Sequence, residues 1–474
     1  MRTYALFALV AFSILPAPAA ARRVDAVRRW NQIAIDASGL DHTPVRVGEA
    51  RVFGEQLGPC RASRAMAIVH IAMFDSANCV SRKYESLTGL MKPMGTMAKH
   101  VAVSQAAHDT LVALFPSQQP YFDAYLAEDL AVAKHNKAAR QKGVQMGQQV
   151  AAKILEMRAH DGSYHHEPEL GVDFFTSTLP GYWRQDPISQ VPIALGGNWA
   201  QCAPFVIPSA AQFRLPPPPA LNSLEYALAY MEAKRLGGDG VITPTERTEE
   251  QTEIGIFWAY DGTPSLCAPP RLYNQIALKI ADEMNSSDLE VARLLALVNV
   301  AMADAGISAW DSKYFYNFWR PVTGIREADA GTGPTGAGDG NTDTVGDPTY
   351  SPLGAPASNL SGPNFTPPFP AYPSGHATFG GALFQILRRF YKTDDIAFTF
   401  TSDEFNGSTR GSDGNVRPLK SRSFQSLSQA EEENGQSRIY LGIHWSFDKT
   451  QGIAQGNAVA DYVFDRAFHP RHRR

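Results

Sequence analysis

Apolar residues recur at helical spacing along most of the chain, and alternating β patterns are scarce. The first such stretch, 24–37, carries Trp30 and Ile33 among its apolar positions. In 61–78, Met66, Val69, His70, Met73 and Phe74 share one face, which makes His70 a core histidine rather than a catalytic group. Residues 101–115 repeat the pattern through Val103, Ala107, Leu111 and Leu114, and 121–135 and 138–160 predict two further helices. The pattern restarts at 223–236. Thr248 with Gln251 and Ser287 with Glu290 are capping boxes, the first opening a helix towards Trp258 and the second opening 288–305. Leu294, Leu295, Val298 and Ala301 predict deep burial for the latter. The chain therefore reads as mostly α in both halves, with long irregular loops.

Periodicity fades in three places. Residues 161–215 are rich in Gly, Pro, Trp and His and predict a solvated loop; the neighbouring His165 and His166 diverge on irregular backbone, so no metal site is expected there. The proline run 216–219 stiffens the chain and divides a bundle over 22–215 from a second over 222–474. Residues 329–363 predict a long surface loop. Its Asp339, Asn341 and Asp343 mimic the start of a calcium loop, but Thr344 and Tyr350 stand where Gly and Glu are required. Residues 401–422 predict another polar excursion, and 471–474 a solvated basic tail.

Composition narrows the class. The chain has 474 residues, 44% hydrophobic and 19% charged, with a formal net charge of -4. Nothing in that balance suggests the basic face of a nucleic-acid-binding domain. Arg2, the apolar run 5–15 and the small residues 16–21 form a secretory signal peptide over 1–21, so a secreted or periplasmic location is expected. No other run has the ~18 uninterrupted apolar residues of a membrane helix. Cys60, Cys79, Cys202 and Cys267 include no C-x-x-C pair; export permits disulfides, with three pairings open, and buried thiols are the alternative.

Candidate chemistry lies between Lys313 and Asp448, in the second bundle. Lys313 and Arg320 are expected on one helical face two turns apart, with Trp310 one turn earlier and Pro321 ending the helix. In P-S-G-H, Pro373 suits a first helical turn. Ser374, Gly375 and His376 would then present free N–H groups at the positive end of the helix 377–391, a good anion site. Arg438 offers a planar fork to two oxygens. His444 is expected on a turn after Gly442, with Asp448 near the next helix start and able to fix its tautomer. Each motif alone has a bland account, an exposed charged face, a helix cap or a core ion pair. Together they supply three cations, a helix start and two imidazoles for one oxyanion.

The order K-x6-R-P, P-S-G-H, S-R-x5-H-x3-D resembles the signature shared by vanadium-dependent haloperoxidases and the type 2 phosphatidic acid phosphatase/acid phosphatase superfamily. F-W-A-Y-D-G (257–262), P-P-R-L-Y-N-Q-I (269–276) and P-P-F-P-A-Y-P-S-G-H-A-T-F-G-G-A (367–382) look like segments of fungal-type vanadium chloroperoxidases. The resemblance implies that Lys313, Arg320 and Arg438 bind the equatorial oxygens of vanadate and that Ser374 and Gly375 complete the cradle. By the same resemblance His444 is the axial ligand, His376 the acid–base group, Asp261 a supporting acid, and Trp310 and Phe369 flank the halide. It also implies an all-α architecture of two four-helix bundles with the active site in the C-terminal one, and hydrogen peroxide, halide and a small organic acceptor as reactants.

Two chemistries use such a pocket. A haloperoxidase oxidises halide to hypohalous acid at bound vanadate. An acid phosphatase holds phosphate in the same place, with His444 attacking phosphorus and His376 protonating the leaving alcohol. Trp310, Phe369 and Asp261 favour the peroxidase, and Phe369, where bromoperoxidases tend to carry His, favours the chloride-oxidising type. A non-catalytic oxyanion binder would not need both His376 and His444.

Overall fold

The computed structural model describes residues 25–90 and 96–471; the leader expected over 1–21 and the last residues of the basic tail lie outside the described residues. The first half contains α1 (Ala26–Asp41), α2 (Gly58–Ser81), α3 (Lys99–Leu114), α4 (Gln119–Val132) and α5 (Lys137–Arg158), with α3 packed between α2 and α5. The second half contains α6 (Leu224–Gly237), α7 (Glu249–Phe257), α8 (Pro269–Glu283), α9 (Asp288–Tyr316), α10 (Pro321–Arg326), α11 (Gly375–Tyr391), α12 (Leu427–Tyr440) and α13 (Ser446–Phe464). There α11 packs on α9, α12 and α13. The all-α architecture is the expected one.

The two halves meet through α2 and α9. One hydrophobic core includes Trp30, Met66 and Val69 from the first half and Leu294, Val298 and Leu383 from the second. Full burial of such side chains stabilises by roughly 1.5–3 kcal/mol each. Helix α9 is long and apolar enough to cross a membrane, but all of its most apolar window is enclosed by protein. A second cluster is aromatic: Trp445 stacks on Tyr230 and Phe447, with Trp319 and Tyr372 beside them. The four cysteines are free, buried thiols.

Local signals explain most boundaries. Both expected capping boxes form, at Thr248–Gln251 and Ser287–Glu290. Three expectations need correction. Helix α9 does not stop at 305 but runs to Tyr316, because positions 306–313 stay buried. The hairpin β1 (Phe398–Asn406) and β2 (Leu419–Phe424), antiparallel with Phe398 opposite Phe424, occupies much of the expected polar excursion. The stretch 329–363 is not all surface, since Tyr350, Ala355 and Ala357 are buried and Tyr350 donates to the Ala233 carbonyl at 3.2 Å.

Candidate active site

Lys313 and Arg320 converge, but not along one helix. Asn317 adopts the left-handed conformation (φ 51°) and caps α9, so Tyr316 is its last residue. Arg320 is extended (φ -83°, ψ 157°), as the residue before proline prefers, and Pro321 begins α10 instead of ending α9. The turn, not a shared face, brings both side chains inward. Pro373 likewise stands outside its helix; Ser374 is the N-cap of α11 and accepts from Ala377 N at 3.4 Å.

Lys313 and Arg320 are fixed by backbone carbonyls and Arg438 by a carboxylate. Lys313 is wholly buried and donates to the carbonyls of Pro370 (2.9 Å), Ala371 (3.0 Å) and Pro373. Its three N–H vectors are taken, so contact with an oxyanion requires one carbonyl to be released. Arg320 donates to Phe369 O at 2.9 Å and Ile443 O at 2.8 Å, and Nη1 also meets His444 Nε2 at 2.8 Å. Arg438 donates through Nη2 to Asp261 Oδ1 at 2.6 Å. The Phe369 ring lies 4.9 Å from both Lys313 Nζ and the Arg320 guanidinium carbon.

The two imidazoles are held in defined tautomers. Because Arg320 can only donate, His444 Nε2 carries the lone pair and Nδ1–H donates to Asp448 Oδ2 at 2.8 Å. That oxygen also accepts from Trp445 N at 3.0 Å. Gly442, at φ 69°, makes the preceding turn; a side chain there would sit 2.5 Å from Gly237 O. His376 meets the Ala259 carbonyl through Nε2 at 2.5 Å, which leaves its lone pair on Nδ1. Its own carbonyl accepts from Tyr273 Oη at 2.9 Å and Asn434 Nδ2 at 3.0 Å, fixing the start of α11.

Burial dominates the electrostatics. It lowers the pKa of His376, His444 and Lys313 well below their ordinary values, and neighbouring cations push the same way. Burial raises Asp261, against the pull of Arg438, and pushes Asp448 up to about 7. Lys313, Arg320 and Arg438 outnumber Asp261 and Asp448 in this buried pocket, which favours an anion among them.

The unsatisfied groups say what the pocket is built for. Arg320 Nη2 and Arg438 Nε and Nη1 are buried donors without an acceptor. The first N–H groups of α11 have no intrahelical partner. Gly375 keeps the helix start open, since a Cβ there would lie 3.2 Å from the Trp310 ring. Several convergent donors, net positive charge and the lone pair of His444 Nε2 together fit a small tetrahedral oxyanion. A cavity of about 190 Å³ reaches this point, lined by Arg438, His444, His376, Gly375 and Asp261 and, beyond them, by Trp310 and Phe369. Lys313 and Arg320 do not line it and act on it through Phe369 and His444, which they contact.

The chain is 30% identical over 497 aligned positions to the vanadium chloroperoxidase of Curvularia inaequalis, a match covering 88% of this chain and 78% of that protein. The chain belongs to the vanadium-dependent haloperoxidase family. A family profile described as the VCPO second helical-bundle domain matches residues 293–472 of this haloperoxidase, the part that holds all three motifs. Among solved structures, the first bacterial vanadium-dependent iodoperoxidase aligns with a TM-score of 0.71 and 25% identity, over 94% of this chain and 98% of that one. The holo-type bacterial vanadium-dependent chloroperoxidase shares the fold, with a TM-score of 0.62 and 14% identity over 89% and 95% of the two chains.

Of the site residues expected from the sequence, Gly375, His376, Arg438, His444, Asp261, Trp310 and Phe369 line the cavity, while Arg320 and Asp448 lie behind it on His444, Lys313 beneath Phe369, and Ser374 at the cap of α11. Sequence reasoning missed the first half's share of the cavity. His42, Leu57, Val191, Ile193 and Leu195 also line it. Part of the stretch expected to be a solvated loop therefore forms a wall of the site. The alternation of Val191, Ile193 and Leu195 was the available signal, and it is too short to stand out.

Proposed function

We propose that this haloperoxidase is an exported enzyme that uses vanadate and hydrogen peroxide to oxidise halide, chloride included, to hypohalous acid, which then halogenates a small organic acceptor. The observation that carries this reading is the set of unpaired buried donors on Arg320 and Arg438 around His444, whose Nε2 would exchange its contact with Arg320 Nη1 for the oxyanion centre. Arg320, Arg438, the start of α11 and, after releasing a carbonyl, Lys313 would hold vanadate, with His444 as its protein ligand. Bound there, vanadate supplies an electrophilic centre that activates hydrogen peroxide towards a halide.

The side chains supply the remainder. His376, neutral and with its lone pair on Nδ1, accepts a proton from incoming peroxide and returns it to the departing water. The buried cations withdraw electron density, Arg320 and Arg438 from positions already held in place, which favours oxidation of a halide that gives up electrons reluctantly. Trp310 and Phe369, with ring centroids 5.0 Å apart, offer the halide an apolar wall next to positive charge. The phosphatase alternative is supported by one feature, the Asp448-supported lone pair of His444, which suits attack on phosphorus equally well. The leader pattern over 1–21 supports export.

The test is halogenation of a phenolic dye by vanadate-loaded protein with hydrogen peroxide and chloride, bromide or iodide, beside an aryl-phosphate assay without vanadate. Turnover is expected with halide. Aryl-phosphate hydrolysis without halogenation would overturn the haloperoxidase reading. His444→Ala should abolish vanadate binding in a titration, whereas His376→Ala should bind vanadate and lose about 10²–10⁴-fold in turnover. Equal retention of activity in the two variants refutes these roles.

A further inference from the structure

The cavity has a second half that the oxyanion chemistry does not use. Leu57, Pro59, Val191, Ile193, Leu195 and Phe365 line it, and none carries a charge or a side-chain polar atom; His42, which also lines the cavity, donates from Nδ1 to Ser38 O at 2.8 Å and accepts from Gly58 N through Nε2 at 2.9 Å, so both its ring nitrogens are engaged. Its wall is an extended segment, V-P-I-A-L. Successive side chains of such a segment point to opposite faces, so Val191, Ile193 and Leu195 line the cavity while Pro192 and Ala194 do not.

This wall is built, not draped. Pro192 O accepts from Leu170 N at 2.9 Å, and Ala194 N donates to Pro168 O at 2.8 Å, tying the segment to 168–170. Leu195 N donates to Pro368 O at 3.0 Å, while its carbonyl accepts from Trp310 Nε1 at 3.0 Å and Tyr314 Oη at 2.9 Å. Glu167 accepts from Gly196 N at 2.5 Å and from Arg61 Nε at 3.1 Å. The apolar wall is thus fastened to α9 and to the Pro367–Phe369 segment, the same elements that carry Trp310 and Phe369.

We propose that this apolar half binds the organic acceptor itself, a neutral single-ring compound of the phenol class, beside the place where halide is oxidised. The proposal rests on the halide-oxidising reading above for its reaction, but its binding site stands on the wall alone. A purely apolar cavity of roughly 150 Å³ suffices for benzene, so about 190 Å³ shared with an oxyanion limits the acceptor to one ring. A charged acceptor entering this half would lose its hydration and find no partner. The transfer balances as phenol plus hypohalous acid giving halophenol plus water: a C–H bond breaks, a C–halogen bond forms, and the ring proton leaves with the hydroxide of the hypohalous acid. Confinement delivers the oxidant to the bound ring before it reaches solvent.

The test is a competition. Vanadate-loaded protein turns over bromide and hydrogen peroxide in a mixture of phenol and taurine, a charged trap that the apolar half excludes. The bromophenol to bromotaurine ratio is expected to exceed that given by reagent hypobromous acid by about tenfold. Ile193→Asp and, independently, Val191→Asp, both at half-buried positions, should return it to the reagent ratio. The ratio is taken within total oxidised bromide, so changes in overall rate drop out. Saturation-transfer NMR on the same vanadate-loaded proteins should show phenol bound to the wild type and lost in Ile193→Asp. A wild-type ratio equal to the reagent's overturns the proposal, while the total oxidised bromide still reports halide oxidation. If no bromide is oxidised, phenol bound to the wild type but not to Ile193→Asp sustains the acceptor site and the halide reading fails; no saturation of phenol by the wild type overturns the site.

Discussion

His376 and His444 are both neutral imidazoles, yet their partners give them different work. His444 keeps its lone pair on Nε2, beside Arg320, because its Nδ1–H donates to Asp448, which suits it to act as a ligand. His376 gives its proton to a backbone carbonyl, a partner that cannot titrate, so its own pKa follows burial and then the nearby charge of Arg438. Asp261 is the residue that moderates that charge. Its Oδ1 accepts from Arg438 at 2.6 Å and lies 4.0 Å from His376 Nε2. Asp261→Asn removes the one negative charge beside this imidazole and leaves Arg438 uncompensated. The imidazolium becomes harder to form, so the pKa of His376 falls further. The acidic limb of the pH profile of kcat/KM should therefore move to lower pH, with turnover down about tenfold as the Arg438 fork loses its anchor. A limb that stays in place or moves to higher pH would show that His376 is not the titrating group.

Helices impose the register of the site, and their packing decides how much of it sequence can show. Two of the motifs were legible because they keep their chemistry within a few residues of helix ends: Ser374 to His376 at the start of α11, and Arg438 in the last turn of α12 with Asp448 in the first turn of α13. The path from Lys313 to Arg320 was misread because Asn317 carries no strong stop signal, and only the packed structure selects its left-handed conformation. The wall at 191–195 was illegible because its partners, 168–170, 310, 314 and 368, are set by tertiary contact and not by spacing. The contact between α11 and α13 is where element packing and site geometry are most tightly linked. A Cβ on Gly456 of α13 would lie 2.1 Å from Thr378 O and 2.8 Å from Ala382 N of α11, and one on Gly452 would lie 2.9 Å from Ser374 O. Gly456→Ala must push α13 away from α11, separating the helix that carries Asp448 from the one that starts at Gly375. Overpacking of this kind costs roughly 1–3 kcal/mol or more. The expected outcome is a lower midpoint in urea together with weaker vanadate binding, although Gly456 does not line the cavity. Lost stability with unchanged vanadate affinity would mean that the two helices do not set the site.

Across the whole molecule, the site is a concentrated cost to the fold, which makes it measurable through stability as well as turnover. Vanadate binds only the folded chain, so at a hundredfold over its dissociation constant it should stabilise by about 2.7 kcal/mol, read as a raised melting temperature. Without vanadate, the buried groups tie stability to pH in two opposed ways. His376 has a folded pKa below the unfolded value of about 6.5, so its contribution is fully present above that pH and is lost on acidification towards the folded pKa. Asp448 has a folded pKa raised to about 7, so its contribution is present below the unfolded carboxylate value of about 4 and is lost as pH rises towards and through 7. Each slope is limited to about 1.4 kcal/mol per pH unit, the exchange of one proton. In urea unfolding of the vanadate-free protein, the stability of wild type relative to His376→Gln should fall from pH 7 to pH 5, while that relative to Asp448→Asn should fall in the other direction, from pH 5 to pH 7. Slopes of the same sign would contradict a neutral imidazole and a strained carboxylate buried in one pocket, because only groups whose burial disfavours opposite charges respond to protons in opposite senses.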